Sequence, residues 1–305
     1  MTTEIATLLV EESVAATGEQ TTTDAGRPRR RRTLGPAGIA GTVVLGVVVL
    51  VSVAAPLLVG DPLAQDFTAI LQAPSAAHPF GTDELGRDLL TRVVFGGRSA
   101  LAITAVASAV AAVLGLGLAV AGALFGGAVD AVAGRLADVQ LAVPTIVLAI
   151  VILSFVGNSF VPLVAVLVLG AWVLTYRVIR GHARAVVKQP YVEAARVAGA
   201  RRWDVGRRHL LPSVLPLFFV AVTLSASAVL LLESSLGFLG LGVQPPQPDW
   251  GQMVAAGQAR LSTAAWLALF PGLALIVTIV GLQLLGDGLA ERFGSGRPGH
   301  QGGAR

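Results

Sequence analysis

The sequence predicts an all-α integral membrane protein with six transmembrane helices. Three observations carry this. The 305 residues are 54% hydrophobic and only 13% charged, where soluble domains carry roughly 25% charged residues. The apolar residues form long runs of Ala, Val and Leu rather than an alternating pattern. That points to spanning helices, which satisfy their own backbone polar groups, rather than to barrel strands. The basic residues cluster beside those runs, as the positive-inside rule predicts for oriented spans.

The same composition excludes several function classes. The sequence pI is near 10.5 and the mean hydropathy is +0.75. A basic protein can bind nucleic acid, but here the basic residues serve orientation, and no nucleic-acid partner is expected. There is no cysteine, which removes disulfides, thiolate nucleophiles and cysteine-bound metals.

Taken in order, residues 1–33 are polar, acidic at first and then basic at Arg27 and Arg29 to Arg32. They bury too little apolar surface to fold alone, so a disordered cytoplasmic segment is expected. The first span is read at about Gly38 to Val59, within a segment 34–60. Val53-Ala54-Ala55 after a basic flank raises a cleaved signal peptide as the alternative. The apolar run exceeds the ~7–15 residues of a signal-peptide core, which favours an uncleaved helix. Residues 61–98 turn polar and acidic and read as an extracytoplasmic loop.

The remaining spans fall within residues 99–290. They are read at about Leu101–Phe125, Val139–Val156 with a kink at Pro144, Phe160–Tyr176, Val214–Leu232 and Ala264–Leu285. Each is near the roughly 20 residues that cross a bilayer. Between the fourth and fifth lies a loop with nine basic residues, Arg177 to Arg208, against Glu193 and Asp204. That imbalance places the loop in the cytoplasm, and counting spans puts both termini there too. The Gly-rich segment 291–305 reads as a flexible cytoplasmic tail.

The polar islands carry motifs. In Tyr191 to Pro216, Pro190 suits the first position of a helix and Glu193 suits its first turn. Ala194 and Ala195 give a small-residue surface, Gly199 stops the helix, and a second short helix from about Trp203 ends at Pro212. Glu193-Ala194-Ala195, Gly199 and Leu211-Pro212 at this spacing resemble the EAA loop, here 190–212, of bacterial ABC importer permeases. His209 stands where most of that family has an apolar residue, which narrows the resemblance to the peptide-importer branch.

Two further runs agree. His78 to Leu101 resembles the His-Pro-x-Gly-Thr-Asp-x-x-Gly-Arg-Asp signature of dipeptide, oligopeptide and nickel importer permeases, with Gly81, Thr82, Asp83, Gly86, Arg87 and Asp88 in register. Leu232 to Val254 resembles a second segment of that branch, with Glu233, Phe238, Gly240, Gly242, Trp250 and Gly251 on the outer, binding-protein side. Trp250 suits a membrane–water interface, and Pro245, Pro246 and Pro248 rule out a continuous helix. Leu284 to Phe293 resembles the family's Gly-Asp-x-Leu ending.

The resemblance implies a type I importer permease with its EAA helix docked on an ATPase. It implies a second homologous permease, two ABC ATPase subunits and an extracytoplasmic substrate-binding protein, all at a bacterial plasma membrane. ATP and Mg would be bound by the ATPase partners. This chain has no phosphate-binding loop, since its only lysine, Lys188, follows Val187, and it shows no catalytic constellation. A metal reading of His78, Asp83, Glu84 and Asp88 matches no familiar ligand spacing. The rival from another class is a proton-coupled transporter using Glu233 or Asp138. Dipeptides or oligopeptides are the expected cargo, with nickel the alternative.

Overall fold

The computed structural model describes residues 34–293; the readings of 1–33 and of 294–305 lie outside the described residues. Among the described residues there is no strand beyond one isolated bridge between Thr82 and Asp88. The helices are α1 (Pro36–Val53), α2 (Ala55–Leu58), α3 (Leu89–Phe125), α4 (Gly127–Ala142), α5 (Thr145–Val156), α6 (Phe160–Val187), α7 (Pro190–Val197), α8 (Arg202–Val205), α9 (Leu211–Phe238), α10 (Trp250–Gln258) and α11 (Trp266–Phe293). Five helical stretches are long and apolar enough to cross a membrane, or six if α4 and α5 together count as one span.

Several spans differ from the sequence reading, each for a physical reason. The second begins at Leu89 rather than Leu101, because the Asp88 carboxylate accepts the Thr91 N–H at 2.8 Å and caps the helix there. The boundary expected at residue 99 therefore falls inside α3. The third is broken rather than kinked: α4 and α5 meet at 86°. Pro144 sits in the cap position of α5, and the residue before a proline is steered away from helical geometry. The fourth and sixth spans run on to Val187 and Phe293.

Pro212 does not end a helix. Residues 202–238 form one continuous helix that widens into a π-turn at Gly206–Leu210. There the Leu211 N–H reaches the Gly206 carbonyl. The wider turn makes room for a proline ring that would otherwise meet the preceding turn's carbonyl. Glu233 consequently lies inside α9, not at its end.

Small residues set the packing. On α1, Gly38 and Gly41 press against the backbone of α11 at Gly288 and Leu285, where a methyl group could not fit. On α3, Ala107, Ala111, Ala112 and Ala119 are fully buried, and Gly115 lies against the backbone of α6 at Trp172 and Tyr176. In a bilayer, where lipid is as apolar as leucine, such close approach is the main source of helix association. One apolar cluster runs through α3, α4, α5, α6 and α9. A second joins Leu89, Val93, Trp250, Met253 and Leu267 around the start of α3, α10 and α11.

The helices define two ends. Leu124 and Phe125 at the end of α3 meet Gly206 and Arg202, so α7, α8 and the π-turn occupy the arginine-rich end. Gly35 meets Glu291, so the described chain starts and finishes at that end as well. The loops 59–88 and 239–265 occupy the opposite end, where the Trp266 indole donates to the Thr82 carbonyl at 3.3 Å.

Candidate functional site

At the arginine-rich end, α7 forms where the sequence places it. Pro190 opens it and Glu193 lies in its first turn. Its end is a Schellman closure: the Ala200 N–H reaches the Ala195 carbonyl at 3.0 Å and the Gly199 N–H reaches Arg196 at 3.0 Å. Gly199 has φ +90°, a left-handed conformation that glycine adopts without steric cost. Val192 is fully buried and anchors the helix, while Val197 is 85% and Trp203 is 73% exposed. Glu193, Ala194 and Gly199 are exposed, and Ala195 is half-buried. The His209 ring lies 5.8 Å from the Tyr191 ring, tying the π-turn to α7, with Leu211 and Pro212 opening α9 behind it. The sequence motif thus gathers in one place, with an apolar pair unsatisfied beside it.

Behind this end sits a charge cluster that the sequence reading missed. Asp130 on α4 is 5% exposed and takes both Arg180 Nε at 2.6 Å and Arg180 Nη2 at 2.8 Å. Arg184 completes it from the same helix, α6. The bidentate pair fixes orientation as well as charge. The signal is an acid embedded in an Ala- and Val-rich stretch between the second and third spans read from the sequence.

At the opposite end, the His78 to Asp88 motif turns inward on itself. Thr82 is fully buried; its hydroxyl donates to the Ala69 carbonyl and accepts the Gln72 N–H at 2.8 Å. The Asp83 carboxylate accepts the N–H groups of Leu85 at 2.9 Å and Arg87 at 3.0 Å, and pairs with Arg87 Nε at 2.7 Å. Gly81 and Gly86 both have positive φ, +79° and +68°. Gly86 also presses on the Asp66 carbonyl, leaving no room for a side chain. Asp88 caps α3 and meets His78 Nδ1 at 3.0 Å. Among the described residues no group of three or more His, Asp or Glu side chains could hold a metal ion.

The third motif packs against α3. Phe238 ends α9, and the Leu241 N–H returns to the Leu236 carbonyl at 2.8 Å around Gly240, φ +79°. Trp250 is 3% exposed and donates its indole N–H to the Val93 carbonyl at 2.8 Å. It lies against Gly96 and Gly97, so it is an internal wedge between α3 and α10. Gly251 lies on the α9 backbone at Ser234 and Phe238, and Gly242 on Gly237.

Glu233 and Asp249 are the chemical surprise. They are 1% and 2% exposed, and their carboxyls hydrogen-bond each other. Burial pushes the Asp249 carboxyl up, while the Gln252 N–H, donating at 2.8 Å, pulls the other way. Asp249 is the cap of α10. Its Asp-x-x-Gln spacing is a helix-start signal legible in the sequence. Asp138, the rival proton site, is 58% exposed at its side chain and paired with Arg177 at 2.8 Å.

Residues 90–295 match the family of binding-protein-dependent transport system inner membrane components. The chain is 36% identical over 257 residues to a probable D,D-dipeptide transport system permease protein of Escherichia coli, covering 84% of this chain and 86% of that one. It is 33% identical to a dipeptide transport system permease protein of Alkalihalophilus pseudofirmus, covering 83% and 84%. A glutathione transport system permease protein of Pectobacterium atrosepticum is 33% identical, covering 74% and 75%. With its apolar helical bundle, its paired loops and this match over most of its length, the chain belongs to the binding-protein-dependent transport system inner membrane component family.

Proposed function

We propose that this chain is the non-catalytic permease subunit of an ATP-driven importer for dipeptides or oligopeptides, forming half of the pathway beside a second permease. The observation that carries the reading is the exposed surface of α7 and α8: two short helices joined at Gly199, with Val197 on the first and Trp203 on the second open to solvent and Gly199 leaving space on its flank. Such an apolar pair on a charged face suits a partner protein. The partner is an ABC ATPase, two of which bind ATP and Mg outside this chain. In this reading the arginine-rich end is cytoplasmic, both termini are cytoplasmic, and the opposite loops meet the extracytoplasmic binding protein. Peptide cargo rests on the names of the relatives.

The coupling path is short. Motion of the ATPase groove moves α7. His209 on Tyr191 passes it to the π-turn, and the continuous helix through α9 carries it to Glu233 and the opposite end. Pull-down from detergent tests this. ATPase subunits should co-purify with the wild type and be lost with Glu193→Ala plus Gly199→Glu. Recovery of no nucleotide-binding partner under mild crosslinking overturns the reading and turns attention to proton coupling at Glu233.

A further inference from the structure

A cavity of about 150 Å³ lies at the loop end between the start of α3 and α10. Arg87, Arg92 and Asp83 line one side, and Gln252, Met253 and Ala256 the other. Its charges do not balance. Arg87 Nε donates to Asp83 Oδ2 at 2.7 Å, and Arg92 Nε lies 3.5 Å from the same oxygen. One carboxylate therefore serves two guanidinium groups. Arg92 is 7% exposed, and its other bond is Nη1 to the Pro62 carbonyl at 3.2 Å.

Each guanidinium has five N–H donors and no acceptor, so several donors remain. They are not among the sealed polar atoms without partners; they open on the cavity. The neighbouring acids are committed elsewhere. Glu84 pairs with Arg260 at 2.9 Å at the exposed rim, and Asp88 serves His78 and the α3 cap. A half-buried surplus of one positive charge, presented as planar forks, is built for a carboxylate.

The cavity also has an apolar side. Leu89, Met253 and Leu267 in its lining belong to the apolar cluster beneath, so an apolar wall lies opposite the arginines. The cavity is smaller than the roughly 300 Å³ at which ligand pockets begin, which suits one inserted side chain rather than a whole peptide. We infer that this cavity is the receptor for an acidic side chain of the extracytoplasmic binding protein, seated on Arg87 and Arg92. The inference rests on the importer reading above.

The test uses the importer co-purified with its ATPases in nanodiscs and titrated with its binding protein. Arg87→Gln should weaken docking roughly thirtyfold or more, the loss expected when one partner of a buried charge pair is removed. Ala256→Glu keeps both arginines and fills the cavity with the chain's own carboxylate; it should weaken docking as much. Converting the binding protein's carboxyls to methylamides should reproduce the loss on wild type and add little on Ala256→Glu. Unchanged docking in both variants, with ATPases still bound, overturns the receptor. Unchanged docking with a raised KM for peptide uptake also overturns it, and assigns the carboxylate to the cargo. Failure of ATPases to co-purify with the wild type would remove the importer reading and this inference with it.

Discussion

The two ends of the bundle carry polar motifs of similar length and use them in opposite ways. Around Thr82 and Asp83 nearly every polar group is bonded within the loop, and Gly86 is locked against Asp66. Around Glu193 and Gly199 the side chains face outward, and Gly199 has open space at its flank. The Thr82 and Asp83 part of one motif is spent on holding the start of α3, with Arg87 left facing a cavity; the other motif is left available at its surface. A short sequence signature therefore does not by itself tell structure from docking. Where its polar atoms are satisfied does.

Glycine replacement sharpens this contrast most. Gly86→Ala meets both a positive φ and a backbone carbonyl, so it should cost about 4 kcal/mol and remove most folded protein, read by thermal unfolding in detergent. Gly199→Ala meets the φ penalty alone and should cost about 1 kcal/mol. Equal losses at the two positions would break the comparison. Next in size, Asp83→Asn strips the shared counter-charge from Arg87 and Arg92 and should destabilise the loop end by about 3 kcal/mol. The same assay on Glu193→Ala should show a change within about 0.5 kcal/mol.

The smallest effect concerns Asp249. Burial raises its carboxyl above the ordinary range, so the folded chain keeps a proton that the unfolded chain gives up. Stability from that group is present at low pH and is lost as pH climbs above the usual carboxylate range. Hydrogen exchange across residues 243–258 should therefore quicken with rising pH beyond its intrinsic dependence. Asp249→Asn, which cannot ionise, should flatten the excess; an unaltered excess in that variant would remove the Asp249 carboxyl as its source.

Composition and periodicity determined a good deal by themselves: the helical membrane class, the apolar runs, the start of α7 at Pro190 and its stop at Gly199. These are local matters, set by hydropathy over about twenty residues and by backbone preferences of proline and glycine. Tertiary structure alone decided the rest. It turned the Pro144 kink into an 86° break, carried α9 through Pro212 by a π-turn, and drew Trp250 into a slot made by Gly96 and Gly97. It also brought Asp249 to Glu233, Asp130 to Arg180, and Arg92 to Asp83. Such pairs join residues on separate elements, and no hydropathy window records which small residues will let two helices approach closely enough for their charges to meet.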